Sequence, residues 1–321
     1  MKIYTEISDL RDEHPNIVFA LGMFDGVHRG HQAILRKASE LAHSIKGEAA
    51  AFTFSSHPLI VVAPDRAPTI ISDDSMKLRL LEIYGMDFVV DIPFDRDFSL
   101  LEPSDFLDFL QNKYSPRYVV AGANYTFGVY GRGTSVDLEQ YGYRYGFHAE
   151  IADAVNEGGE PVSSTRVREC IAHARLKEAN SLLGRDFSYD GIVQHGDMRG
   201  RLLGFPTANI TIGDGRAMLP NGAYAVRILL EDHATEYRKF LEGGSPSELY
   251  GIANVGANPT FKGVERRIEV HIFDFNGDLY GRHISVSFSK RLRDEKRFPS
   301  ADALVHQLNV DRTDAMNFFR G

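Results

Sequence analysis

The sequence predicts two folds in series: a parallel α/β sheet covered by helices, followed by a small all-β barrel with a C-terminal helix. Up to Leu183, short apolar runs alternate with segments of helical periodicity, whereas strand-like stretches separated by Gly and Pro dominate beyond it. The first 183 residues hold 18 basic and 26 acidic residues, and the remainder holds 18 of each. The acidic excess therefore lies entirely in the first part, which agrees with a chain of two different domains.

Composition places the chain among globular proteins and excludes several function classes. With 321 residues and 43% hydrophobic residues, the chain can form two ordinary domains. Its net charge of -8 repels a phosphate backbone, which argues against a nucleic-acid partner. Cys170 is the single cysteine and cannot form an internal disulfide. No apolar run reaches the ~18 residues of a membrane span. We therefore expect a cytoplasmic protein with no membrane partner.

Local patterns predict the elements of the first part in order. Buried strands are expected at Ile17–Leu21, Ala49–Phe54, Phe88–Ile92 and Tyr118–Ala121. Helices are expected from about Ile34 to Ile45, Met76 to Tyr84, Ser104 to Tyr114 and Thr165 to Leu183. Ligands of such a parallel sheet bind at the carboxyl ends of its strands.

The second part is predicted to be mainly strands. They are expected at Tyr189–Val193, Ala223–Leu230, Tyr250–Val255, Arg267–Phe273 and Ile284–Phe288. The polar stretch from Glu231 to Glu248 is expected to be a loop or a hairpin, and a helix is expected from Ala301 to Phe319. Five or six strands without repeated helices need closure to protect their edges, which favours a barrel.

The segment from Gly22 to His31, GMFDGVHRGH, follows a strand and opens a helix. Backbone amides at a helix start favour anions, and Gly26 and Gly30 allow a phosphate to approach the chain. His28 and His31 add side-chain donors there. The alternative is that both histidines only cap and pack, and a zinc site that also uses His57 is a weaker one. The combination favours a nucleotide site without a Walker lysine.

Ser163 to Arg168 form a second candidate phosphate motif, because SSTRVR offers hydroxyls, helix-start amides and two guanidinium groups. Ordinary capping by Ser or Thr is the alternative.

In the second part, Glu269 and His271 share one face of a predicted strand, which places a carboxylate on a polar face. The alternative is that Glu269 is an ordinary surface residue. The segment GFPTAN can also be an ordinary Gly-Pro turn. The basic run from Lys290 to Arg297 can also be a solvated face.

These motifs together resemble the family of bacterial bifunctional riboflavin kinases and FMN adenylyltransferases, also called FAD synthetases. FDGVHRGH, SSHP, GANYTFGVYGRG and PVSSTRVR resemble its adenylyltransferase motifs. GIVQHGDMRGRLLGFPTANI, LPNGAYAV, NVGANPTF and IEVHIFDFNGDLYGR resemble its kinase motifs. The match runs almost from end to end. It implies a Rossmann-like nucleotidyltransferase domain at 1–183 and a flavokinase barrel at 184–321.

For the first domain, the resemblance implies that His28 and His31 contact the ATP phosphates and stabilise the transition state. Gly22, Phe24, Asp25, Gly26 and Gly30 would complete the phosphate loop, and Ser164, Thr165 and Arg168 would hold the pyrophosphate portion. His57 and Asn124 would contact the flavin. Asn124 stands where many members carry an acidic residue, and Met23 replaces a common Asn.

For the second domain, the resemblance implies that Glu269 is the general base for the riboflavin 5′-hydroxyl. Thr207 and Asn209 would bind Mg²⁺ and ATP through oxygen atoms, which this cation prefers. The remaining implied contacts are with the phosphates, through Gly191, Gly196, Gly200 and Pro206, and with the flavin, through Arg293.

The leading hypothesis is therefore one transferase that makes FMN and ADP from riboflavin and ATP, and then FAD and pyrophosphate from FMN and ATP. An oligomer is compatible with the sequence. The first alternative is an enzyme with one activity, whose other half is a flavin-binding or regulatory module. The second is a nucleotide- or RNA-binding regulator, because His-Gly-His signatures also occur in proteins that handle RNA, although the acidic first part argues against it.

Overall fold

The computed structural model describes residues 1–195, 200, 203–230, 234–241, 248–260 and 263–320. By packing, the chain divides into two compact units, Met1–Ser164 and Thr165–Gly321. No helix in these described ranges combines the length and the hydropathy that crossing a membrane requires.

The first unit contains a six-stranded sheet whose neighbouring strands are all parallel, as the sequence predicts. Its strands are β1 (Lys2–Tyr4), β2 (Ile17–Leu21), β3 (Glu48–Phe54), β4 (Phe88–Ile92), β5 (Tyr118–Gly122) and β8 (His148–Ala152). Across the sheet they lie in the order β1-β4-β3-β2-β5-β8. Two short antiparallel pairs are added by β6 (Thr126–Phe127) with β7 (Gly133–Thr134), and by β9 (Asn156–Glu157) with β10 (Glu160–Pro161).

Helices connect these strands because their apolar residues repeat at helical spacing. On the first helix, Ile34, Leu35, Ala38 and Ala42 are buried. A cluster of aromatic rings, among them Phe19, Phe52, Phe88, Phe106 and Tyr114, fills the core on one side of the sheet. The helices of this unit are α1 (Arg29–Ser44), α2 (Leu59–Val62), α3 (Asp74–Ile83), α4 (Pro103–Tyr114) and α5 (Ser135–Gly142).

The second unit contains a six-stranded antiparallel sheet in the order β11-β16-β13-β14-β15-β12. An isolated bridge between Gln194 and Asn209 joins the chain just after β11 to β12, so the sheet nearly closes into a barrel. Its strands are β11 (Phe187–Ile192), β12 (Ala208–Ile212), β13 (Gly222–Leu229), β14 (Glu248–Thr260), β15 (Gly263–Ile272) and β16 (His283–Asp294).

A C-terminal helix packs on this barrel, as predicted. Ala315 of the helix is fully buried, and the ring of Phe319 lies 4.6 Å from that of Tyr250. The helices that follow the first unit in the chain are α6 (Ser164–Ala172), α7 (Leu176–Leu183), α8 (Ala234–Leu241) and α9 (Ala301–Arg320).

Two predicted elements differ from the structure. The predicted helix from Thr165 to Leu183 is two helices, α6 and α7, because Ala174 adopts a left-handed conformation with φ of 51°. The apolar periodicity continues across this break, so the sequence pattern does not reveal it.

The stretch from Glu231 to Glu248, predicted as a loop or hairpin, contains helix α8. Asn180 on α7 donates to the carbonyl of Phe288 at 3.0 Å, which fixes α7 on the barrel.

Candidate active sites

In the first unit, the segment between β2 and α1 is held in a strained backbone conformation. Phe24 and Val27 are buried and have positive φ values of 50° and 38°, which side chains larger than hydrogen rarely adopt. Gly26 has φ of 78°, and a Cβ there would lie 2.9 Å from Cγ2 of Ile71. Such strain is concentrated at functional sites, where packing over-determines the backbone.

The carboxylate of Asp25 shapes this segment. Its Oδ1 accepts hydrogen bonds from the backbone amides of Ile71 at 2.8 Å and Ser72 at 3.2 Å, and the residue is 7% exposed. An anion repels phosphate, so the contribution of Asp25 to a phosphate site comes from the loop that it orders.

The two histidines of the motif stack at the start of α1. Their ring centroids are 3.7 Å apart and their planes differ by 16°. Nδ1 of His28 accepts the backbone amide of His31 at 3.3 Å and so caps the helix. Because Nδ1 is an acceptor, the neutral ring of His28 carries its proton on Nε2. The capping alternative therefore holds for His28, but it also fixes the tautomer that can donate to an anion.

Gly22, Phe24 and Gly30 give these rings their positions. A Cβ on Gly30 would lie 3.1 Å from Cε1 of His28, so any larger residue there would crowd that ring. The ring of Phe24 packs edge-on to His31 at 5.3 Å, and a Cβ on Gly22 would lie 3.2 Å from the Phe24 ring.

The second predicted phosphate motif starts helix α6. The hydroxyl of Ser164 donates to the backbone carbonyl of Asp25 at 3.0 Å, which joins this residue to the first motif. Thr165 is exposed and Arg168 is half-buried in the first turns of the same helix.

A cavity of about 1030 Å³ opens at the carboxyl ends of β2, β3 and β5, where the parallel sheet predicts a ligand site. His31, His57 and Asn124 line it, which brings together three residues that the sequence singled out. Nδ1 of His57 accepts the amide of Leu59 at 3.2 Å. Sequence reasoning did not single out the aromatic residues of the cavity wall or its two exposed arginines. The close spacing of Phe and Arg in FDRDF was a signal that could have indicated them. These further lining residues include Phe54, Phe94, Phe98, Arg66 and Arg96.

A buried ion pair lies beside this cavity. Nζ of Lys77 on α3 donates to Oδ1 of Asp91 at 3.2 Å and to the carbonyl of Phe54 at 3.1 Å. Burial raises the pKa of Asp91, and the charge of Lys77 opposes that rise. The pair thereby fixes the end of β3, from which the Phe54 ring reaches the cavity wall.

In the second unit, strand pairing places polar residues in a row across the sheet. Glu269 pairs with Asn209 on one side and with Asn254 on the other, and Asn209 pairs with Gln194. Directly opposed residues lie on the same face of a sheet. The half-buried carboxylate of Glu269 therefore lies between two amide side chains, of which Asn254 was not singled out from the sequence.

The chain before Asn209 is held closely. A Cβ on Gly200 would lie 2.3 Å from the carbonyl oxygen of Phe205, so this approach requires glycine. Nδ1 of His271 lies 2.9 Å from the carbonyl of Pro206. Gly191 allows β11 to approach Ile210, since a Cβ there would lie 3.2 Å from the Ile210 Cβ. The predicted phosphate contact Gly196 lies outside the described residues.

A second cavity, of about 600 Å³, is lined by Pro206, Thr207, Asn209 and the segment 275–280. Val270 and Ile272 also line it, whereas Glu269 does not belong to the lining that the described residues form. Because side chains alternate along a strand, Glu269 lies on the opposite face of β15 from Val270 and Ile272, next to its pairing partner Asn209.

Arg293, implied as a flavin contact, lies near the end of β16 and contacts the C-terminal helix. Its guanidinium group forms hydrogen bonds of 3.0 and 2.9 Å with the carboxylate of Asp311, which is 2% exposed. Gln307 donates to the same carboxylate at 2.9 Å.

Metal ligands were also sought among the described residues. Within them, no group of three His, Cys, Asp or Glu side chains is arranged to hold a metal ion. Oxygen ligands of another kind are present at Thr207 and Asn209: the Asn209 amide nitrogen faces the Thr207 carbonyl at 3.5 Å, and its Oδ1 is the remaining polar atom of that side chain.

Comparisons with known proteins agree on both units. The family model for FAD synthetase matches residues 10–166, and the model for riboflavin kinase matches residues 183–319. The bifunctional riboflavin kinase/FMN adenylyltransferase of Escherichia coli (strain K12) is 38% identical, over 94% of this chain and 92% of its own length. The protein of the same description from Bacillus subtilis (strain 168) is 32% identical, over 97% and 95%.

A solved structure is similar over the whole length of the chain. It is described as a macrolide-efflux protein from Streptococcus pneumoniae, with a TM-score of 0.84, 32% sequence identity and 99% coverage of both chains.

Proposed function

The chain belongs to the family of bifunctional riboflavin kinases and FMN adenylyltransferases, and we propose how its residues divide the two reactions. As a transferase of this family, it phosphorylates riboflavin to FMN with ATP and then adenylylates FMN with ATP, giving FAD and pyrophosphate. The efflux description of the pneumococcal protein is not transferred, because both family models and the curated relatives name flavin reactions.

Adenylylation belongs to the first unit in this proposal. The observation that carries it is the stacked pair of His28 and His31 at the start of α1, with His31 at the wall of the larger cavity. The phosphate of FMN attacks the α-phosphorus of ATP, a new P–O bond forms, and the bond to pyrophosphate breaks. Donors on both imidazoles stabilise the charge that develops on the phosphoryl oxygens. The family resemblance assigns the leaving pyrophosphate to the motif of Ser164, Thr165 and Arg168.

The lining of that cavity supports a flavin ligand. The rings of Phe54, Phe94 and Phe98 offer a flat aromatic ligand edge and face contacts, and Arg66 and Arg96 offer charges for its phosphate. His57 and Asn124 complete the polar contacts in the proposal. A Rossmann-like description is supported by the strand order, which changes direction between β2 and β5, beside the cavity.

Riboflavin phosphorylation belongs to the barrel in this proposal. Glu269 accepts the proton of the riboflavin 5′-hydroxyl, whose oxygen attacks the γ-phosphorus of ATP, and ADP leaves. A general base contributes typically ~10²- to 10⁴-fold to the rate. Gly191, Gly200 and Pro206 shape the loop for the phosphates, and Arg293 orders the flavin side through Asp311.

Mg²⁺ fits the oxygen atoms of Thr207 and Asn209, which are hard donors at the wall of the smaller cavity. The ion supplies charge neutralisation on the transferred phosphoryl group. The single cysteine and the ATP-dependent chemistry support a cytoplasmic location, and a boundary between the activities after Leu183 stays part of the proposal.

Separate assays of the two steps test this assignment. Riboflavin and ATP are incubated with the full chain, and FMN and FAD are separated by chromatography. Glu269→Ala should abolish FMN formation and leave FAD formation from supplied FMN intact, while His31→Ala should do the reverse. Equal loss of both activities in either variant would contradict separate sites. A wild-type chain that makes only one product would support the single-activity alternative.

A further inference from the structure

His271 is a buried side chain to which no role has been given above. It lies on β15 two residues after Glu269, on the same face of the strand. The residue is 7% exposed, and its ring lies 5.0 Å from that of Phe205 and 5.9 Å from that of Phe273. A polar ring in aromatic surroundings needs a specific partner to offset its burial.

That partner is the backbone carbonyl of Pro206, 2.9 Å from Nδ1. A carbonyl only accepts hydrogen bonds, so Nδ1 carries the proton and donates it. Nε2 is buried and has no hydrogen-bond partner among the described residues. Burial lowers the pKa of His271, which keeps the ring neutral with its proton on Nδ1.

The position of this carbonyl links it to the proposed metal ligands. The carbonyl of Pro206 and the amide nitrogen and Cα of Thr207 belong to one planar peptide unit. Fixing the carbonyl therefore also fixes the position of the Thr207 Cα, the atom to which the Thr207 side chain is attached. Two residues later, Asn209 is paired directly with Glu269, so both ends of the segment 207–209 are attached to the strand that carries Glu269 and His271.

Gly200 holds the same segment from another side. The amide of Phe205 donates to the carbonyl of Gly200 at 2.9 Å, and the closeness of Gly200 to Phe205 leaves no room for a Cβ. Since this contact involves Phe205 and not Pro206, it does not set the peptide plane before Thr207. His271 donates directly to the carbonyl in that plane.

We propose that His271 is a positioning residue of the kinase reaction: the hydrogen bond from its Nδ1 to Pro206 orients the Thr207 hydroxyl and the Asn209 amide beside Glu269 for the metal–nucleotide complex. This inference rests on the proposed kinase roles of Thr207, Asn209 and Glu269. It predicts a defect in the use of ATP and Mg²⁺, and no defect in the affinity for riboflavin.

Two neutral amide variants separate positioning from a general need for a polar residue. In His271→Asn, the amide nitrogen takes the place of Nδ1 and can donate to Pro206. In His271→Gln, the amide reaches the place of Nε2 and cannot make that bond without moving. His271→Leu removes the donor. All three are made in the full chain, and FAD formation from supplied FMN is the internal control for correct folding of the preparation.

For His271→Gln and His271→Leu we expect kcat/KM for ATP in riboflavin phosphorylation to fall about tenfold, the effect of losing one buried hydrogen bond of ~1–1.5 kcal/mol. The Mg²⁺ concentration for half-maximal activity should rise in both, while KM for riboflavin stays within about twofold. His271→Asn should recover most of the loss. Equal impairment of the Asn and Gln variants, or normal Mg²⁺ dependence in all three, would overturn the proposal.

Failure of this inference and failure of the proposed function give different results. If Glu269→Gln and Thr207→Ala abolish phosphorylation and the His271 variants behave as wild type, only the positioning role is wrong. If Glu269→Gln phosphorylates riboflavin normally, the assignment of the kinase site itself is wrong. Thermal unfolding of each variant, compared with His271→Asn, shows whether a loss of activity follows a loss of folded protein.

Discussion

The hydroxyl of Ser164 donates a hydrogen bond of 3.0 Å to the backbone carbonyl of Asp25, a residue 139 positions earlier in the chain. Asp25 in turn accepts the amide of Ile71 through its side chain. One residue thus connects both predicted phosphate motifs to the segment before α3. The shape of the adenylyltransferase loop therefore depends on contacts that are distant in sequence.

Removing the Ser164 hydroxyl tests this connection. Ser164→Ala should destabilise the first unit by ~1 kcal/mol, the usual net contribution of such a bond. KM for ATP in FAD formation should rise several-fold while phosphorylation of riboflavin is unchanged. Ser164→Thr retains the hydroxyl and is the control. Identical ATP dependence in the Ala variant and the wild type would show that the bond does not matter for the site.

Gly26 allows a test of the strained loop with a matched control. Gly26→Ala places a Cβ 2.9 Å from Ile71 at a φ of 78°, so it combines a clash with backbone strain. Gly159 has a similar φ of 84° but no atom within 4 Å of the Cβ position. We expect Gly26→Ala to lose FAD formation and Gly159→Ala to lose only the ~1 kcal/mol of strain. Similar activity in both variants would argue against a role for the Ile71 contact.

The ion pair of Lys77 and Asp91 should be costly to break from one side only. Lys77→Met leaves the buried Asp91 carboxylate without a partner, and a loss of ~3–5 kcal/mol in unfolding free energy is expected. The double variant Lys77→Met with Asp91→Leu should recover most of that loss. Asp74→Asn removes the exposed partner of Lys77 and should change stability by less than ~0.5 kcal/mol. Denaturant titration of the wild type, Lys77→Met, Asp91→Leu and the double variant gives the coupling energy of the pair.

Stability of the barrel should depend on pH through His271. Burial lowers the pKa of His271 in the folded state. The hydrogen bond to Pro206 opposes this, and Arg312, which lowers the pKa, and Asp274, which raises it, contribute less. As the pH falls below ~6.5, the unfolded chain binds a proton on His271 that the folded chain does not bind. The contribution of the neutral His271 ring to stability is therefore complete above that pH and is lost as the pH falls through the folded pKa.

We therefore expect the stability advantage of the wild type over His271→Asn to shrink as the pH is lowered from about 8 to about 5, because Asn cannot titrate. Unfolding in denaturant, followed across this range, measures it. An advantage that stays constant would mean that His271 does not gain a proton on unfolding.

The thiol of Cys170 should be unreactive in the folded chain. Burial, with a smaller contribution from the nearby Glu178 carboxylate, raises the pKa of this thiol to about 11. Only the thiolate reacts with disulfide reagents, so the native protein should show no labelling near pH ~8. In denaturant, one thiol per chain should react. Rapid labelling without denaturant would mean that α6 opens readily.

Element types could be predicted because apolar periodicity is a local property. Phe88–Ile92 has the predicted bounds, and the helix that begins at Arg29 ends at Ser44, one residue before the predicted end at Ile45. The failures have a local cause as well. The break at Ala174 occurs within an unbroken apolar pattern, and a polar stretch such as that from Glu231 to Glu248 can still contain an amphipathic helix.

The sequence alone determined the two folds in series, the motif with His28 and His31, and the strand face that carries Glu269. These features depend on the burial pattern and the chemistry of residues that are close together in the chain. Only the tertiary structure decided that Asp25 binds Ile71 across 46 positions, that His271 binds Pro206 across 65, and that Asn254 lies beside Glu269. Strand register and loop contacts of this kind form between distant segments, and no local pattern specifies which donor meets which acceptor.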